Sequence, residues 1–188
     1  MSIINIASAE EMLFQSLFQR RAIEIDASVK SKTLDLGCGQ VPRNPFKCNT
    51  TVGCDINSGH PLVVECDLFR EKLPFETGDF SAITAFDFVE HVPRVSIGET
   101  TRFPFVELMN EILRVLRTGG YFYSRTPAYP HAEAFQDPTH VNIITDKTWP
   151  TYFCGDNPVG ALYGFNGGFK LVFQGWHGFY LLTILQKI

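Results

Sequence analysis

The sequence predicts an α/β fold: a mostly parallel twisted sheet with helices on both faces and a C-terminal antiparallel strand hairpin. Three observations carry that reading. Short apolar and β-branched runs alternate along the chain with segments of helical periodicity. The run Leu34-Asp35-Leu36 breaks directly into Gly37-Cys38-Gly39, the sharp strand-to-loop turn that opens a ligand site at a sheet edge. Phe169 to Trp176 and Phe179 to Gln186 are separated only by His177-Gly178, a connection too short for anything but an antiparallel pair.

The elements follow in order. Ser8-x-x-Glu11 reads as a capping box opening a helix that runs to about Glu24, with Leu13, Phe14, Leu17 and Phe18 on one face. Strands are expected near 33–36, 51–55, 62–65 and 80–86. Pro104 suits a first helical position, and Phe105, Leu108, Ile112, Val115 and Leu116 recur at helical spacing until Gly119-Gly120 stops the run. Tyr121 to Thr126 makes the fifth strand, and the hairpin closes the sheet. The least regular stretches are Gln40 to Thr50, Arg94 to Arg102 and Ala128 to Gly168. The chain is expected to form one domain over 1–188, with 128–168 as an inserted substrate-side segment.

Composition excludes several classes. With 188 residues the chain can bury one good core, and 45% hydrophobic against 19% charged residues is ordinary for a globular protein. A net charge of −4 speaks against a nucleic-acid surface, which needs a basic face. No apolar run approaches the roughly 20 residues that span a bilayer, and the N-terminus lacks the order of a signal peptide. A cytoplasmic location is therefore expected. The five cysteines, Cys38, Cys48, Cys54, Cys66 and Cys154, are odd in number and lack C-x-x-C spacing, against a disulfide framework or structural zinc.

The second apolar run ends in Val52-Gly53-Cys54-Asp55, about 20 residues after Asp35. An acid there, at the tip of the neighbouring parallel strand, can accept both hydroxyls of a ribose. A dinucleotide fingerprint would place a third glycine where Pro42 stands, and Pro45 follows, so no helix N-terminus forms to cradle a pyrophosphate. A ribose-bearing cofactor without phosphates fits better.

These residues resemble the class I S-adenosylmethionine-dependent methyltransferases, in their small-molecule branch, whose fold is Rossmann-like. The resemblance runs through most of the chain: Leu34 to Gly39, Val52 to Asp55, Cys66-Asp67-Leu68, Leu73-Pro74-Phe75, Phe80 to His91 and Leu113 to Thr126. It departs where the family usually has full helices, after the glycine loop and between the second and third strands; only Gln40 to Thr50 and Ile56 to Gly59 stand there. The resemblance implies S-adenosyl-L-methionine as cofactor and S-adenosyl-L-homocysteine as product. It implies that Gly37, Cys38 and Gly39 pass the methionine part, with Asp35 holding its ammonium directly or through water. Asp55 would take the ribose, with Ile56 beside it. Asp67 and Leu68 would meet the adenine, and Asp87 and Phe88 would flank the methionine moiety. Each acid could instead cap a turn, and Phe88 could be a core aromatic.

Methyl transfer to oxygen or nitrogen needs positioning and removal of a proton, for which histidine suits neutral pH. His91, after the fourth strand, and His140, beyond the fifth, are the candidate bases, with His131 a third. Hydrogen-bonded structural histidines are the alternative. No metal site is expected, although His131, Asp137 and His140 are of ligand type. Tyr129, Phe135, Trp149, Tyr152, Phe153, Tyr163 and Phe165 would form either a pocket wall for a small-molecule acceptor or a satellite core under a long loop. A binding protein that has lost catalysis and a nucleotide-cofactor enzyme of another Rossmann-like class remain as alternatives. Oligomeric state is not legible.

Overall fold

A computed structural model describes residues 6–26 and 30–188. Its elements in chain order are α1 (Ile6–Gln19), β1 (Lys32–Leu36), β2 (Thr50–Asp55), β3 (Val63–Glu65), β4 (Phe80–Phe86), β5 (Ser96–Ile97), β6 (Thr101–Arg102), α2 (Pro104–Val115), β7 (Leu116–Pro127), α3 (Glu133–Gln136), α4 (Thr148–Tyr152), β8 (Phe169–His177) and β9 (Tyr180–Lys187). Seven strands form one sheet in the order β3-β2-β1-β4-β7-β9-β8. All neighbours pair parallel except β9, which runs antiparallel to both β7 and β8. The mostly parallel sheet with a closing hairpin is the architecture the sequence predicts.

Two apolar layers sandwich the sheet. On one face α1 lays Phe14 and Leu17 against Phe46, Tyr121, Tyr123 and Ile184. On the other, α2 buries Phe105, Leu108, Met109 and Ile112 with Leu34, Leu36, Ile83, Ala85 and Phe122. β4 is buried along its whole length, as expected of a central parallel strand with both faces covered.

Helix boundaries shift from the sequence reading. Ser8 lies inside α1, not at its cap, and the helix stops at Gln19 because Arg21 turns to φ 54°. α2 begins with Pro104 in its first turn as expected but yields to β7 at Leu116, so Gly119-Gly120 fall inside that strand's irregular start. Lys187, from β9, donates to the carbonyls of Leu113 and Leu116 at 2.6 and 2.7 Å, satisfying groups that the end of α2 leaves open. The β5–β6 hairpin inside Arg94 to Arg102 has no signal in the sequence.

The connections after β1 and β2 contain no helix. Asn44 pins the first of them. Its Oδ1 accepts from Thr33 Oγ1 at 2.8 Å and Cys48 N at 3.0 Å, and its Nδ2 donates to the Cys48 carbonyl at 2.9 Å. Phe46 then packs edge-on to Phe14, and the loop takes the place of a helix over that part of the sheet. Among the described residues, no helix is long and apolar enough to cross a membrane. All five cysteines carry free thiols.

Candidate active site

The strand order reverses at β1, which has β2 on one side and β4 on the other. Loops leaving neighbouring strands part company at such a point, which makes the carboxyl ends of β1, β2 and β4 the place where sheets of this kind form a ligand crevice. Gly37 and Gly39 turn there with φ of +60° and +61°. The Gly39 amide donates to Asp55 Oδ2 at 2.8 Å, and the Gly37 amide to the Cys54 carbonyl at 2.8 Å. The two glycines differ in what surrounds them. A Cβ on Gly37 would lie 2.3 Å from the Phe88 ring, whereas one on Gly39 would meet nothing within 4 Å. Gly39 thus faces open space at the crevice, and Gly37 is the seat of Phe88. Gly37→Ala is expected to cost about 2–4 kcal/mol, positive-φ strain plus overpacking. Gly39→Ala, with strain alone, is expected to cost about 1 kcal/mol. Equal losses in paired denaturation curves would show that the Phe88 contact contributes nothing.

Asp35 is 1% exposed; its Oδ1 accepts from Thr84 Oγ1 at 2.6 Å and its Oδ2 from the Arg43 amide at 2.8 Å. Burial pushes its carboxyl up to about 6, with both hydrogen bonds and the charge of Arg43 opposing. It braces the glycine loop through the Arg43 amide, and each oxygen has capacity for a second bond. Cys38 turns its sulfur toward Gly53, where a Cβ would come within 2.4 Å, and burial pushes its thiol up to about 11.

Asp55 stands at the rim. Its oxygens accept from Gly39 N and, at 3.1 Å, from Asn57 N, and each has capacity for a second bond. Ile56 is exposed beside it. Asp67 caps its own turn through the Phe69 amide at 3.1 Å and pairs with Arg70 at 3.5 Å. Leu68 is buried, and Phe69 lies nearly parallel to Phe88, ring centroids 6.1 Å apart. Phe69 escaped the sequence reading, although it follows Leu68 directly.

Asp87 adopts φ 51° and is gripped by the Arg125 guanidinium. Arg125, buried in β7, reaches Glu10 of α1 at 3.4 Å and lies 4.9 Å from the centre of the Tyr180 ring; Tyr123 donates to Glu10 at 2.7 Å. This chain of charges ties α1 to the crevice. It involves Glu10 and Arg125, which no local pattern marks.

The histidines fall out unequally. His91 and His140 come together, ring centroids 4.9 Å apart, while His131 stands apart against Trp176 at 5.1 Å. Glu90, 1% exposed, joins the pair: its Oε2 accepts from Thr126 Oγ1 at 2.9 Å, and burial pushes its carboxyl up to about 7. Asp137 holds the turn that carries His140 by accepting from Thr139 N and Oγ1 at 2.8 and 2.6 Å. Glu90 was not among the expected site residues.

The aromatic segment after β7 divides. Trp149, Phe153 and Phe165 are buried in the layer beneath α2, as a satellite core requires, while Tyr129, Phe135, Tyr152 and Tyr163 remain exposed. Tyr152 and Tyr163 line a hollow of about 250 Å³ together with Phe103, Arg94 and Asn142.

Residues 34–124, the stretch that carries the glycine loop, Asp55, Asp87 and Glu90-His91, match the methyltransferase domain family. The match takes in a little under half of the chain. The fold of the whole chain is that of S-adenosylmethionine-dependent methyltransferases. A methyltransferase of that kind from Archaeoglobus fulgidus superposes with a TM-score of 0.53 at 16% identity, covering 95% of this chain and 94% of the other. A chain of the complex between the Haloferax volcanii Trm112 methyltransferase activator and its methyltransferase partner gives 0.56 at 12% identity over 96% and 95%. Geranyl diphosphate C-methyltransferase from Streptomyces coelicolor A3(2) gives 0.58 at 12% over 94% and 81%. No curated protein matches the chain in sequence. Within residues 34–124, the described residues lack the two helices that the resemblance leads one to expect after β1 and β2.

Proposed function

We propose that the chain binds S-adenosyl-L-methionine at the crevice and transfers its methyl group to an oxygen or nitrogen of a small-molecule acceptor. The observation that carries the reading is the glycine loop drawn onto Asp55 by the Gly39 amide, with open space above Gly39. In this reading Gly37, Cys38 and Gly39 present backbone to the methionine part. Asp55, with Ile56 beside it, takes the ribose hydroxyls. Leu68 and Phe69 offer apolar surface to the adenine beside Asp67, and Phe88 flanks the methionine moiety. Asp35 supports the loop, and Asp87 lies toward the methionine end.

The S–CH3 bond breaks as the acceptor's lone pair forms the new bond to carbon, and the departing electron pair makes sulfur a neutral thioether. The acceptor's proton must also leave. His91 and His140 are the groups beside the crevice suited to that task at neutral pH. Five free thiols suit a reducing compartment, and we place the protein in the cytoplasm. The acceptor is taken to be neither nucleic acid nor membrane, in keeping with the net charge of −4.

Calorimetry with S-adenosylhomocysteine tests the binding step. The wild type is expected to bind, and Asp55→Ala to lose about 1.5–3 kcal/mol, the worth of charge-assisted bonds to two hydroxyls. An unchanged dissociation constant would remove Asp55 from the site. Binding of a nicotinamide dinucleotide in place of S-adenosylhomocysteine would move the chain to another Rossmann-like class. The two helix-free connections favour a second reading, in which the chain binds the cofactor but no longer transfers methyl groups; binding without turnover on any acceptor would support it.

A further inference from the structure

We infer that Glu90, His91 and His140 form a binding site for a divalent first-row transition cation at the acceptor side of the crevice. One potential ligand atom from each of the three lies within 4.8 Å of those of the other two. Two imidazoles and one carboxylate are a donor set that suits such cations and leaves coordination positions open. Bonds of about 2.1 Å would bring ligand atoms to about 3–3.5 Å from one another, so ring and carboxylate rotations of about 1 Å close the site.

The hydrogen bonds around the three residues are the stronger argument. A carbonyl can only accept, so His140 Nδ1, 3.3 Å from the Ala134 carbonyl, carries a hydrogen there; Nε2 lies 4.0 Å from Asp137 Oδ2, and in the neutral ring it keeps its lone pair for a ligand. The same holds for His91. Its Nδ1 faces the Thr139 carbonyl at 3.3 Å and Thr139 Oγ1 at 2.9 Å, and that hydroxyl spends its own hydrogen on Asp137 Oδ1 at 2.6 Å. Histidines that hold metals are oriented in this way, by an outer acceptor on the far nitrogen. Glu90 follows the pattern: Thr126 anchors Oε2, while Oε1 is buried without any hydrogen-bond partner. A buried carboxylate oxygen with no donor is costly, and a cation between it and the two imidazoles satisfies it.

The consequence for chemistry rests on the methyl-transfer reading. An acceptor hydroxyl occupying an open position on the cation would be acidified there, so its proton would pass to solvent water without a histidine as base. His91 and His140 would then serve as ligands, and the acceptor would be an oxygen nucleophile.

The test is titration of the metal-free chain with cobalt(II), followed by visible absorption and calorimetry, with S-adenosylhomocysteine binding measured on the same samples. One ion per chain is expected, with the d–d bands of nitrogen and oxygen ligation and no thiolate charge transfer. Glu90→Gln, His91→Gln and His140→Gln are each expected to weaken it by about 100-fold or more. Thr139→Val, which frees His91 Nδ1 from one acceptor, should weaken it about 10-fold, and Thr139→Ser should restore it. His91 lies at a half-buried position, so His91→Gln remains informative if Glu90→Gln fails to fold. No ion bound by a chain that binds S-adenosylhomocysteine overturns the metal site and leaves the cofactor reading standing. Ion binding untouched by all three ligand substitutions, or carried by thiolate bands, also overturns it. Ion binding without S-adenosylhomocysteine binding leaves the metal site standing and overturns the methyl-transfer reading instead.

Discussion

Trp149→Ala is expected to lower the unfolding free energy by about 3–5 kcal/mol, the usual cost of deleting a fully buried large aromatic. Trp149 is 0% exposed and packs against Phe105 and Phe122 at 5.8 Å and Phe153 at 5.9 Å between ring centroids. Phe105 belongs to α2 and Phe122 to β7, so the indole joins the segment after β7 to the sheet's own core. Urea denaturation reads the loss, and S-adenosylhomocysteine affinity in the native baseline should stay within about threefold of wild type, because the residue lies in the apolar layer. Tyr152→Ala, at an exposed position lining the hollow near Arg94, should cost under about 1 kcal/mol. A stability loss below 1 kcal/mol for Trp149→Ala would return that residue to the acceptor pocket, the other role its sequence context allowed.

His91→Ala and His140→Ala are each expected to lower the single-turnover rate of methyl transfer by about 10²–10⁴-fold while leaving cofactor affinity nearly intact. Both rings stand in one cluster, so the double variant should be little slower than the worse single one; groups that act as a unit lose their function together. The loss is expected whether the imidazoles take the proton themselves or hold the cation that acidifies the acceptor, and dependence of the rate on added metal separates those cases. Near-normal rates for both variants would leave proximity and a self-ionising acceptor as the better account.

The parts of the fold legible in the sequence share one property: their signals are local. Alternation and helical periodicity are written within a few residues, so β1, β2, β3, β4, α2 and the final hairpin emerge within a residue or two of their observed limits at most ends. Gly37-x-Gly39 is legible because only glycine takes positive φ without strain. The β5–β6 hairpin escaped because two-residue strands carry no periodicity. The end of α1 escaped because a left-handed arginine is not a recognisable stop.

The site divides in the same way. The sequence by itself determined a glycine loop and an acid at the ends of two strands, and histidines after the fourth and fifth strands, because strand limits and spacing follow from local pattern. Only the tertiary structure decided which polar groups meet. Asp35 reads in sequence like a ligand contact, and the Thr84 hydroxyl on β4 and the Arg43 amide also hold its oxygens. His131, Asp137 and His140 share one short segment, yet His140 pairs with His91 from before β7 in the chain, and buried Glu90 completes the group. Arg125 and Thr126 are adjacent in β7, but alternation sends one to Glu10 and Asp87 and the other to Glu90. Such partnerships depend on contacts between segments distant in the chain, which the sheet order creates and no local pattern encodes.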